Sequence, residues 1–177
     1  MRYLLAICLF YCSNEILFAQ DIHDLARSGS VAEVALFLKK DSDAINRLSD
    51  RGIKPFILAC YRGNNEVAKY VMNNGADVNV CTTEGSAIYG IWFKNNTEML
   101  SFVLEKGISP NDTCQFQQFG TPLHMAMSLK RYESVELLLK YGANKSIPNQ
   151  EGSTIDELLI RYNDEILTEI FKRYEKN

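Results

Sequence analysis

Two histidines, five cysteines and a scatter of carboxylates are the side chains in this sequence of 177 residues whose types could do chemistry. Histidine acting as a general base needs a nucleophile or a paired base within hydrogen-bond reach. His124 has no such companion in its sequence neighbourhood. Zinc held by cysteine needs ligands a few residues apart, and Cys60, Cys81 and Cys114 are widely spaced, with both histidines distant from them. The sequence also lacks a phosphate-binding glycine loop, a Gly-x-Ser-x-Gly elbow, a His-Glu-x-x-His helix and a Cys-x-x-Cys pair. Asp156-Glu157 and Asp164-Glu165 fall near expected helix starts, where carboxylates complement the helix dipole while staying solvated. These observations predict no enzyme, no cofactor, no metal and no small-molecule substrate.

Formal charge is −3, with 46% hydrophobic and 23% charged positions, which suits a soluble compact domain with a continuous core. Without a basic field, nucleic acid and anionic membrane are not expected partners. The N-terminus reads differently: Arg2 precedes the apolar run Tyr3–Cys12, and Ile16-Leu17-Phe18 leads to Ala19-Gln20. This is the pattern of an export signal over 1–19 with cleavage after Ala19, leaving 20–177 as the domain. The run is too short to span a bilayer. A buried N-terminal helix is an alternative that Glu15 favours. A lipid anchor at Cys12 is another, which Tyr11 opposes because a small residue usually precedes the acylated cysteine. Export places the domain in a periplasm or outside the cell.

Each of Cys60, Cys81 and Cys114 is expected to be a small packing residue. A Cys81–Cys114 bridge in an oxidising compartment would need a repeat rise of about 10 Å to be shortened to disulfide geometry. Asn95-Asn96-Thr97, Asn111-Asp112-Thr113 and Asn144-Lys145-Ser146 match the glycosylation sequon, which matters in a eukaryotic secretory pathway.

Behind these residues lies an internal repeat. Thr121-Pro122-Leu123-His124-Met125-Ala126 with Val135-Glu136-Leu137-Leu138-Leu139 and Gly142-Ala143-Asn144 resembles the ankyrin repeat. A second copy runs from Lys54-Pro55 to Gly75-Ala76-Asp77, and a degenerate third, without Pro or His, runs from Ser86 to Gly107. Lys54, Ser86, Thr121 and Thr154 are 32, 35 and 33 residues apart. Partial copies around 22–38 and 152–159 look like caps, giving about five units over about 20–175. The resemblance implies an all-α solenoid of helix-turn-helix units joined by β-turn or hairpin loops. Stacking would bury apolar faces that one unit cannot bury alone: Ala59 and Cys60 are small where inner helices approach, and Val67, Val71 and Met72 supply outer-helix bulk. Thr121 would cap its helix with Pro122 preset for the first turn, Gly75 and Gly142 would terminate outer helices, and His124 would link neighbouring loops.

The resemblance also points to two binding strips. One is the hairpin tips, carrying Arg51, Glu84, Gln118 and Phe119; the other is the concave end of each first helix, carrying Tyr61, Arg62, Phe93, Lys94 and Leu129. Aromatic anchors bordered by cations suit a protein interface. For Phe93, packing against Trp92 is the competing expectation, and Trp92 itself is expected in the core. The connection 108–119 is longer than its counterparts, and Phe116 with Phe119 is expected to extend the partner surface unless one tucks beneath the loop. The expected function is therefore binding of a protein partner, as an immunity protein against a toxin or an accessory of a periplasmic enzyme. A self-associating envelope scaffold, using the apolar side chains of 155–171, is the alternative.

Overall fold

The computed structural model describes residues 21–114, Phe116 and residues 119–174. The export signal with its Ala19 junction, and Gln118, lie outside them. Among the described residues the fold is helical, and the chain divides into two units, Met1–Asp77 and Val78–Asn177.

The first unit holds α1 (Ile22–Ser28), α2 (Val31–Lys40), a short 3₁₀ turn (Ser42–Asn46), α3 (Pro55–Arg62) and α4 (Asn65–Asn73). α1 packs on α3 and α3 on α4, burying Leu25, Ala26, Phe56, Ile57, Ala59, Cys60, Val67 and Val71. The small residues are indeed where the first helices meet; Met72 stays half-buried. Ser30 and Glu33 form a reciprocal capping box that starts α2. At the N-terminal edge, His23 Nδ1 lies 2.6 Å from Asp21 and Nε2 lies 3.0 Å from the Arg47 carbonyl. Burial would raise the Asp21 carboxyl, but the bond and charge of His23 hold it below its ordinary value.

The second unit holds α5 (Ala87–Phe93), α6 (Thr97–Glu105), α7 (Pro122–Ser128), α8 (Tyr132–Lys140), α9 (Ile155–Tyr162) and α10 (Glu165–Arg173). Its core contains Ile88, Ile91, Met99, Val103, Leu123, Met127, Leu138, Ile155, Leu167 and Phe171. Lys54, Ser86, Thr121 and Thr154 are each the N-cap of a first helix, at the positions the spacing predicts.

Both units repeat two devices. Nine residues after each of those N-caps the backbone turns left-handed between paired helices, at Gly63, Asn95, Lys130 and Asn163. One residue later comes a polar side chain, and in three of the four helix pairs its bonds reach the preceding repeat: Asn64 donates to the Ala26 and Gly29 carbonyls, Arg131 to the Trp92 carbonyl, and Asp164 accepts from Lys130 and Tyr132. The second device is an asparagine that satisfies the end of the following outer helix. Asn46 bonds the Gly75 carbonyl and the Asp77 amide, and Asn111 bonds the Gly142 carbonyl and the Asn144 amide.

Candidate functional site

Candidate binding residues sit where the helix pairs turn and at the tips of the loops. In the first unit, Arg51 is exposed in the turn closed by Gly52 N–H donating to the Ser49 carbonyl. Tyr61 is half-buried and Arg62 exposed in the last turn of α3.

In the second unit Phe93 ends α5 and is 62% exposed, with Lys94 beside it as an exposed C-cap. Leu129, the C-cap of α7, is 52% exposed, and α5 packs on α7. The alternative for Phe93, a seat against Trp92 in the core, is not what the structure shows. Phe119 is 40% exposed on the long connection, and half-buried Glu84 lies in the turn where Thr82 and Gly85 pair. Two large apolar side chains thus face solvent from neighbouring helices, with the exposed Lys94 next to the first of them.

Phe116 corrects the expectation of a partner-facing residue. Its ring is fully buried, edge-on to Tyr89 at 5.1 Å and to Trp92 at 6.2 Å between centroids. Its polar sequence neighbours, Gln115 before it and Gln117 and Gln118 after it, made the loop read as solvent-facing, but an aromatic ring flanked by glutamines still gains more by burial than any loop residue around it. Phe116 is the staple beneath the loop, and Phe119 is its exposed counterpart.

Cys81 and Cys114 also depart from the packing role expected of them. They form a disulfide with Cα atoms 5.6 Å apart. The long connection supplies the slack that a bare repeat rise lacks, so Cys114 reaches the preceding loop without distortion of the helices. Cys81 is exposed, whereas Cys114 is buried. Cys60 does keep the expected role, and burial pushes its thiol well up.

Trp92 is half-buried rather than wholly in the core. Arg131 covers one side, its guanidinium carbon 4.5 Å from the ring centroid, and burial lowers the Arg131 value. Nearby, Asp164 accepts from Lys130 at 2.9 Å, Tyr132 at 3.0 Å and the Leu167 amide at 3.1 Å. The Lys130 bond, with the Leu167 and Tyr132 bonds, lowers its carboxyl to about 2. These polar contacts were missed in the sequence, although Asn64, Asn96, Arg131 and Asp164 all stand ten residues after the helix-start positions and that phase was readable.

His124 bonds within its own unit: the Thr121 amide donates to Nδ1 at 3.1 Å, and the Thr121 hydroxyl lies 2.9 Å from the same atom. The loop-to-loop link expected of it is not among these bonds. Nε2, and likewise Trp92 Nε1, finds no hydrogen-bond partner among the described residues. Burial lowers the His124 value, which favours the neutral ring, and since Nδ1 accepts from the Thr121 amide the proton of that ring is on Nε2. No group of three potential metal ligands occurs among the described residues, and no described helix is long and apolar enough to cross a membrane.

Comparisons with known proteins agree with this architecture. A tyrosine-protein kinase of Hydra vulgaris, HTK16, is 26% identical over 140 residues, covering 75% of this chain and 18% of that protein. The transient receptor potential channel pyrexia of Drosophila melanogaster is 32% identical over 123 residues, covering 68% of this chain and 12% of the channel. A probable 26S proteasome regulatory subunit, p28, of Saccharomyces cerevisiae is 32% identical over 127 residues, covering 66% of this chain and 52% of that subunit. The chain thus spans less than a fifth of the kinase and of the channel, whose activities belong to those whole proteins. The profile of ankyrin repeats in three copies matches residues 22–114, and that of a single ankyrin repeat matches residues 120–150. Matched over more than half its length, the chain belongs to the ankyrin-repeat family, whose repeats typically bind proteins and do not catalyse reactions.

Proposed function

We propose that this chain is a non-catalytic module that binds one protein partner outside the cytoplasm, using the apolar side chains of its second unit. The observation that carries the reading is the pairing of Phe93, 62% exposed, with Leu129, 52% exposed, on two helices that pack together. Large apolar groups held in water on rigid helix ends favour a protein interface. Lys94 beside them, with Phe119 on the neighbouring loop, suits a partner segment that offers an apolar side chain next to a carboxylate. The N-terminal pattern over 1–19 and the Cys81–Cys114 bridge both favour export, since disulfides persist in oxidising compartments. An immunity role against a toxin and an accessory role beside a periplasmic enzyme are the two finer readings; the matched relatives are eukaryotic and viral and favour neither.

Capture from the native host's envelope fraction tests this, with the tagged parent beside a Phe93→Ser, Leu129→Ser variant shown by circular dichroism to be folded. One stoichiometric protein held by the parent and lost by the variant is the expected result. Equal capture by both moves the interface elsewhere. A second reading, self-association, draws on Ile160, 81% exposed, and Ile166, 50% exposed, on the last two helices. A monomer at high concentration in sedimentation excludes it.

A further inference from the structure

Between Ile108 and Gly120 the chain is tied at both ends of a short path. Upstream, Asn111 bonds the Gly142 carbonyl and the Asn144 amide. Downstream, the loop closes on itself: the Phe116 carbonyl accepts from the Phe119 amide at 2.7 Å and the Gly120 amide at 2.8 Å, while the Phe116 amide donates to the Thr113 carbonyl. Between these ties, Cys114 is bonded to Cys81 and has its amide held by Asp112 at 2.9 Å. Two residues on, the Phe116 ring sits edge-on to Tyr89 and Trp92, and three further on Phe119 reaches solvent. The covalent bond therefore sits immediately before the buried ring and close to the exposed one.

Access to that bond is one-sided. Cys114 is buried, but Cys81 is exposed, and a cavity of about 200 Å³ lined by Cys81, Ser86, Ile88, Ile108 and Asp112 opens beside it. Of the two bonded residues, Cys81 is the one on the solvent side, and it is the side from which a thiolate would attack.

We propose that the Cys81–Cys114 disulfide is a redox latch on the partner surface: a dithiol reductant opens it, releases Phe116 from Trp92 and Tyr89, and thereby unseats Phe119 while the helices stay folded. One thiolate of the reductant attacks the Cys81 sulfur, breaking the bond to Cys114, whose thiolate takes up a proton. The second thiol attacks the resulting mixed disulfide and releases Cys81 as a thiol. Two electrons and two protons pass to the cysteines, and the reductant leaves as its own disulfide. The oxidised chain presents Phe119 with Phe93 and Leu129; the reduced chain presents only the helix residues. The regulatory consequence rests on the partner-binding reading above, whereas the latch itself does not.

Trp92 is the single tryptophan of the chain, so its emission reports the Phe116 seat directly. The full chain is treated with dithiothreitol, and a Cys81→Ser, Cys114→Ser variant is measured without it. Expected are a red shift of Trp92 emission and a new protease cut between Ser109 and Phe119 in both, with unchanged helical circular dichroism. Unchanged emission and cleavage overturn the latch, and so does loss of the helical signal, which would make the bond a global staple. Partner capture is then compared before and after reduction. Capture at least tenfold weaker after reduction supports the control, and equal capture overturns it. If neither form captures a protein while the emission still shifts, it is the partner-binding reading that fails and the latch that stands.

Discussion

The guanidinium of Arg131 covers the face of Trp92 at 4.5 Å and donates to the carbonyl of the same residue, joining α8 to the end of α5 through one side chain. That contact holds the helix end whose next residue is Phe93. A charged hydrogen bond contributes roughly 1.5–3 kcal/mol, and the stacked cation adds to it. Arg131→Ala is expected to lower unfolding free energy by about 2 kcal/mol in urea titration. Arg131→Lys should recover less than half, because an ammonium neither stacks as a plane nor donates as a fork. Full recovery by lysine would show that charge alone matters there.

Asp164 gives the chain an acid limit with a definite sign. Its carboxyl is held at about 2, first by Lys130. A depressed carboxyl stabilises the fold fully above its unfolded value of about 4, and the contribution fades as pH falls through the folded value. Thermal midpoints of the parent and of Asp164→Asn should therefore differ most at pH 6. The gap should narrow below about pH 4 and close near pH 2. A gap that is constant over this range would assign the loss to packing.

Gly120 has no substitute. Its φ is +108°, and an added Cβ would lie 2.9 Å from the Asn149 Cα and 2.8 Å from His124 Nδ1. Backbone on one side and a bonded ring on the other leave nothing to move cheaply. Gly120→Ala is expected to cost about 1–3 kcal/mol in chemical denaturation. By contrast Gly52→Ala, where a Cβ meets nothing within 4 Å, should cost less although its φ is also positive. Equal costs would mean that dihedral strain alone decides.

The two phenylalanines 93 and 116 should part company in stability. Phe116 is fully buried, and Phe116→Ala is expected to cost about 3–5 kcal/mol. Phe93 is largely exposed, and Phe93→Ala should stay within about 0.5 kcal/mol of the parent. Differential scanning calorimetry of both variants checks this; a large loss at Phe93 would take it away from any partner surface.

Helix starts were legible because capping and proline chemistry are local: Lys54, Ser86, Thr121 and Thr154 announce themselves within four residues of sequence. Phe93 and Leu129 were legible through the repeat resemblance, which places them at the ends of first helices, Phe93 two residues and Leu129 one residue before a left-handed position. What escaped is non-local. Whether Phe116 or Phe119 turns inward depends on a space between Tyr89 and Trp92 that only the folded unit creates. The sequence named Cys81 and Cys114 as a possible pair, but whether they bond depended on how far the longer connection doubles back. The Asp164 network joins Lys130 and Tyr132, more than thirty residues earlier, and adjacent-residue patterns cannot show it.

Cys60 sits wholly inside the first unit, while the two bonded cysteines belong to the second. Among the three cysteines of the described residues three pairings are possible, and two of these draw Cys60 out of its core. Wherever the chain folds in an oxidising compartment, correct pairing then depends on timing: the first unit has to bury its thiol before an oxidant meets Cys81. A chain whose first unit closes slowly would accumulate scrambled isomers in which that unit stays unfolded, so yield in an oxidising compartment becomes a measure of how fast the first unit folds.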